Sequence, residues 1–126
     1  MHVLVVDDSA AMRKIIITAL NKTELKGSRI VESPDGKDAF DKFANGNFGL
    51  ILSDWNMPEM DGLEFVEKVR RSDKKVKIIM ITTEGTFGKL ENALDAGVDE
   101  YVTKPFTPEM LDRKVRKVFG RPAAAK

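Results

Sequence analysis

The chain has 126 residues and a nearly balanced charge, with 21 Lys and Arg against 20 Asp and Glu. This length is typical of one domain, and 42% hydrophobic residues supply an ordinary apolar core. The balanced charge argues against a protein that binds nucleic acid by neutralising phosphates. The lack of cysteine excludes disulfides, thiolate metal sites and cysteine nucleophiles. No apolar run is long enough to span a membrane and no signal segment opens the chain, so we expect a cytoplasmic location.

Five short runs along the chain predict β-strands. Most of them are continuously apolar and rich in Val and Ile, which favours strands buried on both faces of a sheet. In chain order the predicted strands are Val3–Val6, Ser28–Glu32, Leu50–Leu52, Lys77–Thr82 and Tyr101–Thr103.

Apolar residues at three- and four-residue spacing predict a helix after each strand. Helix boundaries are marked by residues typical of caps and stops: a cap at Ser9, Asp35-Gly36 before and Asn45-Gly46 after the second helix, Gly97 after the fourth, Thr107-Pro108 before and Gly120 after the fifth. Strict alternation of strand and helix predicts a parallel α/β sheet with helices on both faces. We expect one domain over residues 1–120 and a flexible tail over residues 121–126.

Polar residues directly follow four of the predicted strands. Asp7 and Asp8 follow the first strand and Asp54 the third, while Thr82 ends the fourth and Lys104 follows the fifth. In open α/β sheets, ligands bind beyond the carboxyl ends of the strands. We therefore expect these side chains to meet at one edge of the sheet.

Acidic residues at this edge predict a site for a divalent cation. The sequence has no phosphate-cradling loop and no dinucleotide fingerprint, and adjacent aspartates would repel a nucleotide phosphate. Mg²⁺ prefers oxygen ligands and is usually bound by one or two carboxylates. Because Lys104 is within reach of the same edge, metal and ammonium together can stabilise a transferring phosphoryl group.

Four segments of the chain resemble motifs of the receiver domain of two-component response regulators. They are VLVVDDS, SDWNMPEMDG around Asp54, MITTEG around Thr82 and YVTKPFTPE around Lys104. The resemblance covers the chain from Val3 to Phe119. It implies a flavodoxin-like (βα)5 fold with strand order 2-1-3-4-5, and transfer of a phosphoryl group from a histidine kinase onto Asp54.

The resemblance also implies a set of metal ligands and contacts to the phosphoryl group. Asp8, Asp54 and the backbone carbonyl of Asn56 would bind Mg²⁺ directly, and Asp7 would bind it through water. Lys104 would pair with the phosphoryl group, and its peptide bond to Pro105 would be cis.

Further residues have implied roles in switching and in dephosphorylation. Thr82 would hydrogen-bond the phosphoryl group; Thr83 competes for this role, but Thr82 directly follows the apolar strand. Tyr101 would be the aromatic ring that turns inward when the threonine moves. Asn56 and Glu84 would tune dephosphorylation, and their polarity predicts a short phosphoryl lifetime.

The predicted output is binding to other proteins, because the chain ends shortly after the last predicted helix. We expect a monomeric chemotaxis-type receiver, not a conventional enzyme, whose partners are a histidine kinase, the flagellar motor switch protein and a phosphatase. A stand-alone receiver in a phosphorelay would have the same site. A Mg²⁺-dependent phosphatase with an aspartyl-phosphate intermediate is disfavoured, because it would need a second aspartate where Asn56 stands.

Overall fold

Five parallel strands form a single sheet at the centre of the molecule. The computed structural model describes residues 1–55, 60–73, 75–83 and 94–122. The sheet has the order β2-β1-β3-β4-β5. The strands are β1 His2–Val6, β2 Arg29–Ser33, β3 Leu50–Asp54, β4 Lys77–Thr82 and β5 Glu100–Thr103. All five predicted strands are confirmed to within two residues at each end, and so is the implied strand order.

Four helices are described over their full length. They are α1 Ala10–Leu20, α2 Gly36–Ala44, α3 Gly62–Ser72 and α4 Pro108–Val118, the last of which is the fifth predicted helix. Each begins after a polar cap whose side chain accepts a backbone N–H from the first turn, which satisfies one of the donors left open there. Residues 94–96 are helical and end at Gly97, whose φ of 115° suits glycine. The earlier part of that predicted helix lies outside the described residues.

The core has two halves, one on each face of the sheet. Helices α2 and α3 cover one face, where side chains such as Phe43 and Phe65 pack on Leu4, Ile51 and Ile78. Helices α1 and α4 cover the other, where Ile16, Leu20, Leu111 and Val115 pack on the alternate residues of β1, β3 and β4. Because successive residues of a strand face opposite sides, a sheet covered twice needs continuous apolar strands. This packing explains the unbroken runs in the sequence.

Contacts of the last helix extend slightly past the predicted domain boundary. Arg121 Nη1 lies 3.2 Å from Glu24 Oε2, and the Arg121 N–H donates to the carbonyl of Arg116 at 2.7 Å. Arg121 therefore packs against α4 and against the segment that follows α1. Among the helices of the described ranges, none is long and apolar enough to cross a membrane.

Candidate functional site

The sheet brings two aspartates and a lysine together at the carboxyl ends of its strands. Val6 of β1 pairs with Ser53 of β3, so the residues that follow them, Asp7 and Asp54, are neighbours. Both aspartates are buried. Lys104 follows β5, and its Nζ lies 3.2 Å from Asp7 Oδ2 and 3.4 Å from Asp54 Oδ1. The predicted convergence of these three side chains is present.

Asp8 joins Asp7 and Asp54 in a group of three carboxylates. We call these three aspartates and Lys104 the acidic site. Asp7, Asp8 and Asp54 each offer a carboxylate oxygen, and these oxygens lie within 4.8 Å of one another. Asp8 is exposed, which gives the group access to solvent. The site holds three carboxylates and one ammonium, so negative charge is in excess. Oxygen donors with excess negative charge suit a hard divalent cation, and the acidic site could therefore bind a metal ion.

The electrostatics of Asp54 reflect this excess. Burial raises the pKa of Asp54 above its ordinary value, and the neighbouring Asp7 raises it further. Lys104 and the Trp55 N–H, which donates to Asp54 Oδ1 at 2.9 Å, oppose that rise without cancelling it. An ionised Asp54 is thus held at a cost in free energy, which a bound cation would reduce.

The two candidate threonines lie in different environments. Thr82 is the last residue of β4 and is buried, whereas Thr83 is exposed. The Thr82 carbonyl accepts the Lys104 N–H at 2.7 Å, so the threonine and the lysine are tied through the backbone. The Lys104–Pro105 peptide bond is cis, as predicted.

Tyr101 lies on the edge strand, near the end of β4 that carries Thr82. It pairs with Met80 in the strand register, is half-buried and packs against the core half that Met80 belongs to. Met80 and Thr82 are two residues apart on one strand and therefore share a face of the sheet. Tyr101 and Thr82 are thus diagonal neighbours, roughly 8 Å apart by strand geometry.

Sequence reasoning missed a side chain that fixes the first strand–helix turn. Arg13 of α1 donates from Nη1 to the carbonyl of Asp7 at 2.6 Å and from Nε to Glu32 Oε1 at 3.0 Å. Ser9 contributes as well, because its N–H donates to Asp7 Oδ1 at 2.9 Å. The available signal in the sequence was an arginine one helical turn after the cap at Ser9. By periodicity alone, such an arginine is expected to be exposed to solvent.

Gly62 is a second residue whose role was missed. A Cβ at this position would lie 2.6 Å from the carbonyl oxygen of Asp54 and 3.0 Å from Trp55 Cα. The Gly62 N–H also donates to the Trp55 carbonyl at 2.8 Å. Helix α3 therefore begins in direct backbone contact with the strand end that carries Asp54, and only glycine allows this approach. The Asp61-Gly62 pair in the sequence was the available signal.

Two of the predicted site residues cannot be placed. Asn56, assigned a metal-binding carbonyl and a role in dephosphorylation, lies outside the described residues, as does Glu84. Their roles stay predictions.

Comparison with known proteins identifies the family. The family model for the response regulator receiver domain matches residues 3–116. The chain therefore belongs to the response regulator receiver domain family, whose members are signalling proteins of two-component systems rather than conventional enzymes. This confirms the resemblance drawn from the four motifs.

Several proteins to which this chain is similar are chemotaxis regulators of the CheY type. The chemotaxis protein CheY1 of Helicobacter pylori is 46% identical over 123 residues, covering 95% of this chain and 98% of that protein. A CheY homologue of Campylobacter jejuni is 46% identical over 123 residues, covering 95% of this chain and 93% of that protein. The solved structure of CheY4 of Vibrio cholerae has a TM-score of 0.84 and 35% identity, covering 93% of this chain and 97% of its own. The protein is thus a receiver domain closely related to CheY chemotaxis regulators.

Proposed function

We propose that this protein is a chemotaxis response regulator that accepts a phosphoryl group on Asp54 and then binds the flagellar motor switch. The observation that supports this most is the position of Asp54, at the end of the central strand and 3.4 Å from the Lys104 ammonium. An acceptor carboxylate needs a cation for the incoming charge and access for a donor. Lys104 supplies the cation, and the Asp54 side chain keeps 11% of its surface exposed next to the exposed Asp8.

The proposed reaction is transfer from a phosphohistidine of a partner kinase. Asp54 Oδ1 already accepts hydrogen bonds from Trp55 and Lys104, so we assign the attack to Oδ2. The new P–O bond forms as the P–N bond of phosphohistidine breaks, and the bonding pair returns to the imidazole nitrogen. After the transfer the negative charge lies on the phosphoryl oxygens, and the Lys104 ammonium would pair with them.

In this proposal Asp8, Asp54 and the carbonyl of Asn56 would bind Mg²⁺ directly, and Asp7 would bind it through water. Bound Mg²⁺ would neutralise the carboxylates and the phosphoryl oxygens. Arg13 holds the backbone carbonyl of Asp7, and the Ser9 N–H holds its carboxylate, which keeps this ligand in place.

The signal would pass from Thr82 to Tyr101. A phosphoryl group adds charge and three acceptor oxygens, which attract the Thr82 hydroxyl. Since Tyr101 lies diagonally across the same face of the sheet, a shift of Thr82 changes the space next to its ring. Two packings of the ring with different affinity for a partner are sufficient for a switch, because binding and phosphorylation then shift one population.

Phosphorylation by a small donor tests the proposal. We expect acetyl phosphate with Mg²⁺ to change the fluorescence of Trp55, the single tryptophan, whose N–H donates to Asp54. Asp54→Asn should abolish formation of the acyl phosphate, detected on a phosphate-affinity gel. Asp41→Asn, an exposed change on α2, is the matched control and should be phosphorylated like the parent. An Asp54→Asn variant that is phosphorylated as readily as the parent would refute the acceptor assignment.

Binding to a peptide of the flagellar switch protein tests the output. We expect capture of the phosphorylated protein and not of Asp54→Asn. A protein that is phosphorylated but not captured, and that passes its phosphoryl group to a second histidine protein, would be a phosphorelay intermediate instead.

A further inference from the structure

Another buried carboxylate lies on β5, away from the acidic site. Glu100 is the first residue of this strand, and its side chain is only 8% exposed. Burying a charged group is costly unless hydrogen bonds and opposite charges compensate. Neither a periodic pattern nor a motif in the sequence indicated a role for Glu100. Its partners in the structure indicate one.

Glu100 uses both carboxylate oxygens, and its partners come from α4 and from its own strand. Oε1 lies 3.2 Å from Lys114 Nζ and accepts the Tyr101 N–H at 3.1 Å. Oε2 lies 2.8 Å from Lys117 Nζ. Burial alone would raise the pKa of Glu100, but hydrogen bonds from Lys117, the Tyr101 N–H and Lys114 outweigh it and lower the pKa below its ordinary value. We call Glu100, Lys114 and Lys117 the Glu100 cluster.

Lys114 has a second contact that connects the cluster to the tyrosine ring. Its Nζ lies 5.1 Å from the centroid of the Tyr101 ring, within the distance of a cation–π interaction. The same ammonium is therefore shared between the Glu100 carboxylate and the face of Tyr101. Glu100 is buried and both of its oxygens have partners, so its carboxylate is a fixed point close to this ammonium.

We propose that Glu100 is a positioning residue for Tyr101, which holds the Lys114 ammonium over the ring and so favours the ring position described here. The inference about the resting protein stands on these contacts alone. Its consequence for signalling rests on the proposed function, in which the position of Tyr101 is the readout of phosphorylation. A cation–π contact of this partly exposed kind shifts the ratio of two ring positions by about two- to fivefold.

The simpler alternative is that Glu100 only anchors α4 to the edge strand. In that case the loss of its charge would lower stability and leave the ring where it is. A spectroscopic signal from Tyr101 separates the two roles, and Tyr101 is the single tyrosine of the chain. Incorporation of 3-fluorotyrosine therefore gives one ¹⁹F resonance that reports on this ring.

The experiment compares five variants of the full chain with the parent by ¹⁹F NMR, without phosphodonor. Glu100→Gln and Lys114→Met should shift the resonance in the same direction, and the double variant should shift it no further than Lys114→Met. Lys117→Met is the matched control, because Lys117 bonds the other oxygen of Glu100. Glu109→Gln, an exposed change in the first turn of α4, controls for charge. Both controls should leave the resonance within its linewidth of the parent.

Several results would overturn the proposal. An unmoved resonance in folded Glu100→Gln, or a shift in Lys117→Met as large as in Lys114→Met, would contradict it. If Glu100→Gln does not fold, judged by circular dichroism, Lys114→Met decides the question with the ammonium removed and the aliphatic stem kept. Acetyl phosphate is then added to the parent: an unmoved resonance there would count against the proposed switch, not against the positioning role.

Discussion

The two ends of β5 carry two groups of carboxylates and lysines with opposite charge balance, and each group includes a buried carboxylate. Lys104 directly follows the strand and contacts Asp7 and Asp54, two of the three aspartates of the acidic site. Glu100 begins the strand and is bonded to two lysines. The pKa of Asp54 is raised above its ordinary value by burial and by Asp7, whereas hydrogen bonds from the lysines lower that of Glu100 despite its burial. Carboxylates and ammonium groups thus shift the pKa of a buried carboxylate up at one end of the strand and down at the other.

Charge excess explains what each group can do. An acidic site short of cations gains free energy from a metal ion or an added positive charge, which suits a binding site. A carboxylate with two ammonium partners is already satisfied, so it holds its neighbours in place. Tyr101 lies between the two groups along the strand, which allows both to influence it.

Removal of Asp8 should have the largest effect and tests the acidic site as a metal site. We expect Asp8→Asn to weaken Mg²⁺ binding at least tenfold, on the order of 1.4 kcal/mol, because one of three carboxylates is lost. Titration of Trp55 fluorescence with Mg²⁺ measures it. Glu100→Gln removes the same charge elsewhere and should change the affinity less than twofold. Equal affinity in Asp8→Asn and the parent would contradict the metal assignment.

The sequence alone predicted most of the fold and the acidic site. Continuous apolar strands and capped helices are local signals, and the rule that ligands bind at the carboxyl ends of strands brought Asp7, Asp54 and Lys104 together. These predictions depended on the order of residues along each element and on little else.

The residues that were missed act through contacts between distant parts of the chain. Gly62 matters because α3 starts against the carbonyl of Asp54, and a glycine at the start of a helix does not indicate such a contact by itself. Glu100 is bonded to lysines 14 and 17 residues later, on a helix whose rotation about its axis had to be known first. Such contacts depend on packing, which periodicity does not specify.

Neutralising one carboxylate in each group should change stability in opposite directions. In metal-free buffer at pH 7, Glu100→Gln should lower the free energy of unfolding by about 1–2 kcal/mol, because hydrogen bonds to a charged acceptor are lost. Asp54→Asn should raise it by up to about 1 kcal/mol, since the cost of burying an ionised carboxylate and its repulsion from Asp7 are relieved, and solvent screens part of the effect. Urea denaturation measures both values. Changes of the same sign would mean that charge balance does not distinguish the two groups.

The pH dependence of stability should sharpen the contrast. The pKa of Glu100 is lower in the folded protein than its ordinary value of 4.5, so its ionised form stabilises the fold above that pH. This contribution is lost as the pH falls through the lowered pKa. The stability difference between the parent and Glu100→Gln should therefore be constant from pH 7 to about 5 and shrink below about 4.5. A difference that persists unchanged at pH 3 would show that charge is not its source.

An exposed ion pair should show the smallest effect and tests whether burial matters. Asp38 and Lys42 of α2 lie 2.8 Å apart, as close as Glu100 and Lys117, but both side chains are about 40% exposed. Hydrogen bonds from Lys42 and Ser33 lower the pKa of Asp38, yet solvent screens such a pair and leaves it worth only about 0.2–0.5 kcal/mol. Asp38→Asn should change the free energy of unfolding by no more than this, because the amide oxygen can still accept the Ser33 hydroxyl.

Raising the salt concentration from 0.1 M to 1 M should reduce the stability loss in Asp38→Asn further, as measured by urea denaturation. The stability loss in Glu100→Gln should change less, because that carboxylate is only 8% exposed. A loss in Asp38→Asn as large as in Glu100→Gln would mean that distance between charges, rather than burial of the carboxylate, determines the strength of these pairs.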